Sequence, residues 1–279
     1  MRVLITGAGG QLGRDLQAQL HAEELHVRDH KALDITDRTA VFDELQRLRP
    51  DWVINAAAFN DVDGAETVEQ VAFAVNADGP GNLADAGLRT GARLVHVSTD
   101  YVFDGLKGTP YTEEDRPSPV SVYGRSKLAG EKRVIASGVE ALVIRTAWLY
   151  GLHGKNFVYA MLAAAREPRP VRVVADQVGS PTSTLDLAQA IVQLIATPLR
   201  GLIHVVNGGS CSRYDFARAI LDDRVPVIPI GTAESGRRAP RPAFSALRSV
   251  RWGETGLPPL RPWREALVEF LQAAARADA

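Results

Sequence analysis

In the first half of the chain, short unbroken apolar runs alternate with stretches whose apolar positions return every three or four residues. Residues 2–6 place Val3, Leu4 and Ile5 in succession, as a buried strand requires. Gly7, Ala8, Gly9 and Gly10 end that run as a turn, and Leu12, Leu16 and Leu20 then recur at helical spacing over 11–21. Residues 25–28 predict a second strand, and 36–48 a second helix with Thr36 as its N-cap and Arg49-Pro50 as its stop. A third strand over 52–54 opens into Asn55, Ala56, Ala57 and Ala58. The pattern over 63–90 is helical, expected in two segments broken near Gly79-Pro80. A fourth strand over 93–97 ends in Ser98, Thr99 and Asp100. A helix containing Tyr123 and Lys127 precedes a fifth strand over 140–144. Strands alternating with helices at this spacing predict an α/β fold with a doubly wound parallel sheet and right-handed crossovers.

Past residue 150 the rhythm changes. Proline and glycine gather at 168–181, 226–242 and 253–262, between helical stretches over 157–166, 185–196, 214–221 and 263–277, with one more strand expected over 203–206. The chain therefore divides into a dinucleotide-binding domain over 1–150 and a smaller, loop-rich substrate lobe over 151–279, some segments of which return to the first domain.

Composition narrows the function classes. At 279 residues, 46% hydrophobic and 23% charged, the chain has the makeup of an ordinary globular protein with a substantial core. A net charge of -1 gives no electrostatic reason to expect nucleic acid or a membrane surface. The single Cys211 cannot form an internal disulfide. The apolar start is too short for a signal segment, and no run of about 18 apolar residues occurs. A soluble, cytoplasmic protein is expected. His96, His153 and His204 lack metal-ligand spacing, so no metal is expected.

Gly7, Gly10 and Gly13 form a G-x-x-G-x-x-G turn between a strand and a helix, where backbone can approach a diphosphate and the helix N-terminus can meet its charge. With Gln11 and Leu12, the turn predicts a Rossmann-like dinucleotide site. Asp29, 22 residues after Gly7, stands where an acid would accept hydrogen bonds from a ribose diol, but Arg28, His30 and Lys31 flank it, which leaves NADPH and NADH both open. Asp34, beside Ile35, is a candidate for the adenine edge, with a solvated acid before Thr36 as the alternative. Ala56, Ala57 and Ala58 follow the third strand on the same edge.

Tyr123 and Lys127 stand four residues apart, on one face of a helix. A phenol titrates near about 10, and a neighbouring ammonium pulls that value down. Thr99, 24 residues before Tyr123, ends a strand on the edge that carries the glycine turn. The three make a carbonyl-reduction set. Thr99 would polarise the ketone oxygen, Tyr123 would donate the proton, and Lys127 would tune Tyr123 and bind the nicotinamide ribose.

With Asn55, Ala56, Ala57 and Ala58, these motifs resemble the extended short-chain dehydrogenases/reductases. Narrower stretches are Ser98-Thr99-Asp100-Tyr101-Val102-Phe103, the run from Tyr123 to Glu131, Arg145-Thr146-Ala147-Trp148, the run from Asp176 to Thr182, and the run from Arg241 to Leu247. Together they are similar to the dTDP-4-dehydrorhamnose reductase family, over nearly the whole chain. The resemblance implies NAD(P)H-dependent reduction of the 4-keto group of a dTDP-sugar, dTDP-6-deoxy-L-lyxo-4-hexulose, to dTDP-L-rhamnose. It gives Thr99, Tyr123 and Lys127 the catalytic roles and Tyr101 and Trp148 the sugar contacts, the latter also because an indole suits an apolar sugar face. Val62 and Asp100 join the substrate set. So does Asn60, which stands where the family usually has threonine and leaves the exact sugar open.

For the substrate's diphosphate the candidate is Arg241, in a cluster with Arg237 and Arg238, and Asn156 and Phe157 would border the nucleotide. A homodimer and any bridging metal at its interface stay open. Alternatives are a 4-ketoreductase for another nucleotide deoxysugar, a nucleotide-sugar epimerase, or a non-catalytic regulatory subunit of the methionine adenosyltransferase beta type, which looks like this family.

Overall fold

The computed structural model describes residues 1–20, 24–167, 169–222 and 224–277. Val3, Leu4 and Ile5 are fully buried in a six-stranded parallel sheet. Its spatial order is β10 (Gly201–His204), β5 (Ala141–Thr146), β4 (Arg93–Thr99), β3 (Trp52–Asn55), β1 (Arg2–Thr6) and β2 (Glu24–Arg28). From β1 the chain goes outward to β2, then crosses back to β3 on the other side. The connections after β1 and β3 therefore diverge and leave a crevice at their carboxyl ends.

Helices cover both faces. Leu12 and Leu16 of α1 (Gln11–Gln19) and Leu187, Ile191 and Leu194 of α8 (Thr184–Leu194) share one core with Val3 and Ile5. On the other face, α2 (Arg38–Leu48), α5 (Gly79–Thr90) and α6 (Val122–Ala136) contribute Leu45, Leu83 and Val134. Each fully buried leucine is worth about 1.5–3 kcal/mol over exposure, which makes these two layers the main stabilising surface. A third core joins α7 (Phe157–Ala164), α9 (Arg213–Leu221) and α10 (Trp263–Ala277) beside the parallel pair β7 (Val171–Val174) and β12 (Val227–Ile230). Two segments beyond residue 150 return to the main sheet: α8 packs with α1, and β10 pairs with β5.

The structure revises four local expectations. The N-cap of α2 is Asp37, whose carboxylate accepts from the backbone N–H groups of Thr39 and Ala40. Thr36 instead donates its N–H and hydroxyl to Asp34. The break in the 63–90 stretch falls between α3 (Val62–Ala65) and α4 (Glu69–Phe73), not at Gly79-Pro80. From α4 a π-helical turn (Ala74–Asp78) leads into α5, so Pro80 falls in a first turn, where a missing N–H costs little. The late strand is Gly201–His204 rather than 203–206, because its register is set by pairing Leu202 with Val143 and Ile203 with Ile144. The first helix stops at Gln19, and His21 lies outside the described residues.

Candidate active site

The glycine turn is dictated by sterics. Gly7 has φ 70°, and a Cβ there would collide with the backbone N of Ala57. A Cβ on Gly13 would run into the carbonyl of Gly7. Gly10 donates its N–H to the Gly7 carbonyl at 3.0 Å and is the N-cap of α1, with no side chain to occupy the helix's first amides. Those amides face the crevice as donors for an anion. The turn fits a dinucleotide diphosphate.

Two side chains enter this crevice from α6. Ser121 caps the helix by accepting from the Gly124 N–H at 3.1 Å, which sets Tyr123 in the first turn. Gly124 has no room for a Cβ, because the carbonyl of Tyr101 lies against it. That close approach lets the ring of Tyr101 meet Tyr123 edge-on, with centroids 5.7 Å apart and planes at 78°. Substituting alanine for Gly124 is expected to destabilise the fold by about 1–3 kcal/mol, measured by urea denaturation, and to lower kcat by displacing Tyr101.

Gly10, Gln11, Leu12, Gly13, Ala56 and Ala58 line one side of a cavity of 330 Å³. Thr99, Asp100, Tyr101, Tyr123, Lys127 and Trp148, with Asn60 and Val62, belong to the rest of its lining. The cofactor turn and the proposed proton donor thus share one space. Gly7 and Ala57 form the wall behind the turn, where the Ala57 N–H donates to Asn55.

Electrostatics inside the cavity differ from the sequence expectation. Burial raises the Tyr123 pKa, opposed by a hydrogen bond with Thr99, so the phenol is neutral in this state. Lys127 does not set that value; its ammonium donates to the Val97 carbonyl at 2.7 Å. Burial lowers Lys127 to about 8, and the Glu131 carboxylate resists the drop. Thr99 donates its hydroxyl to Asp100 at 3.0 Å and accepts from the Tyr101 N–H. Asp100 is pushed up to about 6 by burial, with hydrogen bonds from Ser245 and Thr99 working against it.

A second cavity, of 500 Å³, adjoins the first. Among the expected residues, Asn60, Val62, Tyr101, Phe157, Arg237 and Arg241 line it. Arg241 is already paired there: its two terminal nitrogens donate to Asp63 at 3.0 and 2.8 Å. Arg238 is not among the residues lining this cavity.

Asp29, Asp34, Ile35 and Asn156 line neither of these two cavities. Asp34 accepts the N–H and hydroxyl of Thr36 on one carboxylate oxygen, which lowers its pKa. Ile35 is a core side chain against Gly79. Asn156 caps α7 and donates to Gln11 at 3.0 Å and Gly151 at 2.8 Å, which ties the lobe to the glycine turn. Asp29 lies in a separate shallow cavity with Gly9, Arg14 and Gln17, and accepts from the Ala32 N–H. Arg28 is turned away and paired with Glu44 at 2.6 Å. Among the described residues, no group of three His, Cys, Asp or Glu side chains could hold a metal ion, and no helix is long and apolar enough to cross a membrane.

Comparison with known proteins decides the family. The RmlD substrate binding domain matches residues 1–276. The chain is 50% identical over 289 aligned positions to the dTDP-4-dehydrorhamnose reductase of Mycobacterium tuberculosis, covering 98% of this chain and 93% of the relative. The chain belongs to the dTDP-4-dehydrorhamnose reductase family. Another relative, at 46% identity and covering 96% and 94%, is a probable dTDP-4,6-dihydroxy-2-methyloxan-3-one 4-ketoreductase of Streptomyces antibioticus. A crystal structure of a Bacillus anthracis dTDP-4-dehydrorhamnose reductase in complex with NADP superposes with a TM-score of 0.94 at 42% identity, covering 98% of this chain and 99% of that one.

In this member of the dTDP-4-dehydrorhamnose reductase family, several residues at the site escaped the sequence reading. Asp63 neutralises the expected arginine from 178 positions away. Ser245 holds Asp100 across 145 positions. Arg213 lines both cavities. A local signal for Arg213 did exist: a cation in the first turn of a helix opposes the helix dipole and needs another reason to be there. Trp148 adopts φ 47°, unusual for an indole-bearing residue, and lies between Arg213 and the close-packed Gly179.

Proposed function

We propose that this chain reduces the 4-keto group of dTDP-6-deoxy-L-lyxo-4-hexulose (dTDP-4-dehydro-L-rhamnose) to dTDP-L-rhamnose with NADPH, using Thr99, Tyr123 and Lys127 as its catalytic residues. The observation that carries this reading is that these three side chains share one cavity with the glycine turn. Gly7, Gly10, Gln11, Leu12 and Gly13 would hold the cofactor's diphosphate, with Ala56 and Ala58 beside it. NADPH, when bound, supplies the hydride. Thr99 turns its hydroxyl from Asp100 to donate to the ketone oxygen and orient it. Tyr123, held neutral by burial, gives its proton to that oxygen as negative charge develops there. Lys127, anchored on the Val97 carbonyl, steadies the nicotinamide ribose with its remaining donors. Tyr101 and Trp148 border the sugar.

In this reading residues 1–150 carry the cofactor and most of 151–279 shapes the substrate lobe. The protein is proposed to be cytoplasmic and homodimeric, and to act on a small molecule rather than on nucleic acid or a membrane.

The test is NADPH oxidation with the enzymatically prepared 4-keto sugar, followed by product identification. Equimolar NADPH consumption and dTDP-L-rhamnose are expected, which an epimerase would not give. A second reading, reduction of a different dTDP-deoxysugar, is favoured by Asn60 and by the Streptomyces relative, and product identification separates the two. Cofactor choice turns on Asp29, which shares its shallow cavity with Arg14. Replacing Asp29 with asparagine removes repulsion toward a 2′-phosphate and should raise the NADPH-to-NADH preference about 10-fold, read as the ratio of kcat/KM values.

A further inference from the structure

Four residues line both cavities: Asn60, Val62, Tyr101 and Arg213. Arg213 is the one cation among them. A nucleotide sugar whose ketone reaches Tyr123 in the first cavity and whose base lies in the second must pass its diphosphate through this junction.

The charges around the second cavity are unevenly committed. Arg172 is paired with Glu234 at 2.9 Å, Arg237 with Asp63 at 3.3 Å, and Arg241 with the same Asp63 at 2.8 Å. Among the described residues, no carboxylate forms an ion pair with Arg213. Its guanidinium carbon lies 3.5 Å from the centroid of Trp148 and 5.0 Å from that of Phe157, and Tyr101 lines the same two cavities beside it. Asp100 acts on it at longer range, but the oxygens of Asp100 are taken by Thr99 and Ser245. A half-buried guanidinium held against two aromatic faces keeps its donors free for an anion, and its planar fork matches phosphate oxygens.

We propose that Arg213 receives the diphosphate of the nucleotide-sugar substrate at the junction of the two cavities, with Trp148 as its stacking platform. The proposal rests on the reductase reading for the substrate's class. It assigns the uncompensated charge to Arg213, while Arg241, neutralised by Asp63, shapes the wall of the second cavity.

Calorimetric titration of dTDP and of thymidine into wild-type protein, Arg213→Met and Arg213→Lys tests it. Methionine keeps a long side chain against Trp148 without the charge. Arg213→Met is expected to weaken dTDP at least about 30-fold while thymidine and NADPH affinities stay within about twofold, and Arg213→Lys to recover part of the loss. An unchanged dTDP affinity in Arg213→Met, an equal loss for thymidine, or a wild-type protein that binds no dTDP would overturn the proposal. Should Arg213→Met fail to fold, Arg213→Lys decides: the loss of the planar fork must weaken dTDP about 10-fold and spare thymidine, and any other result counts against it. Because dTDP has no ketone, the titration is independent of turnover. Protein that binds dTDP through Arg213 but oxidises no NADPH with the 4-keto sugar would defeat the reductase reading and leave this assignment standing.

Discussion

Replacing Tyr123 with phenylalanine is expected to lower kcat about 10²–10⁴-fold while leaving the NADPH dissociation constant within about twofold of wild type. In the proposed mechanism the phenol protonates the nascent alkoxide, and it reaches the cavity beside Thr99 with its proton held on by burial. Phenylalanine keeps the ring and the edge-on contact with Tyr101, so the fold and the cofactor turn should be undisturbed. Steady-state kinetics with the 4-keto sugar, together with a fluorescence titration of NADPH, separate the two effects. A Tyr123→Phe variant that turns over at the wild-type rate would remove the proton-donor role.

The second large effect is expected at Glu131. This carboxylate stands four residues after Lys127 on the same helix and is almost fully buried. It accepts the Ser98 hydroxyl at 2.5 Å and the Arg145 Nε at 2.9 Å on one oxygen, and an Arg145 terminal nitrogen at 2.7 Å on the other. Glutamine at 131 leaves the Arg145 guanidinium charged and buried without its counter-ion, which is expected to cost about 3–5 kcal/mol in urea denaturation. The same substitution removes the negative charge that supports the Lys127 ammonium. Lys127 titrates at about 8, so activity that needs its charge should fall as pH rises through that value. Without Glu131 the ammonium loses its proton more easily, and the alkaline limb of the kcat profile should move to lower pH. A stability change under about 1 kcal/mol would count against the ion-pair argument, and an alkaline limb that stays in place would count against the coupling to Lys127.

Ser98 and Thr99 show how these parts are joined. Neighbouring residues on a strand point to opposite faces, so Ser98 drops to Glu131 while Thr99 faces the cavity. The Val97 carbonyl between them and the core takes the Lys127 ammonium. One strand end is thereby fastened to the catalytic helix at two points, which sets the distance from Thr99 to Tyr123.

What could be read from the chain alone had a local physical cause. The helical period couples positions four apart, so Tyr123 and Lys127 were legible as a pair. A strand, three spaced glycines and an amphipathic helix specified the cofactor turn because only glycine allows that backbone to close. The parallel sheet followed from the alternation of buried strands and helices. The C-terminal helix over 263–277 was read with its observed bounds because its apolar period is strong. Local competition misled the reading at Thr36, where Asp37 is the better acceptor for the first amides, and at Pro80, where a π-helical turn carries the helix through.

The sequence by itself determined the sheet, the glycine turn and the placing of Tyr123 and Lys127 on one helix face, since each is set by residues a few positions apart. Only the tertiary structure decided which charges at the substrate site are free. Arg241 meets Asp63 across 178 positions and loses its availability, whereas Arg213 lands on Trp148 between two cavities and keeps it. It also decided the state of Tyr123, because burial by the surrounding elements raises its pKa while the Lys127 ammonium that the spacing promised is spent on the Val97 carbonyl. Ion pairing and desolvation depend on what comes together in space, and chain separation carries no trace of either.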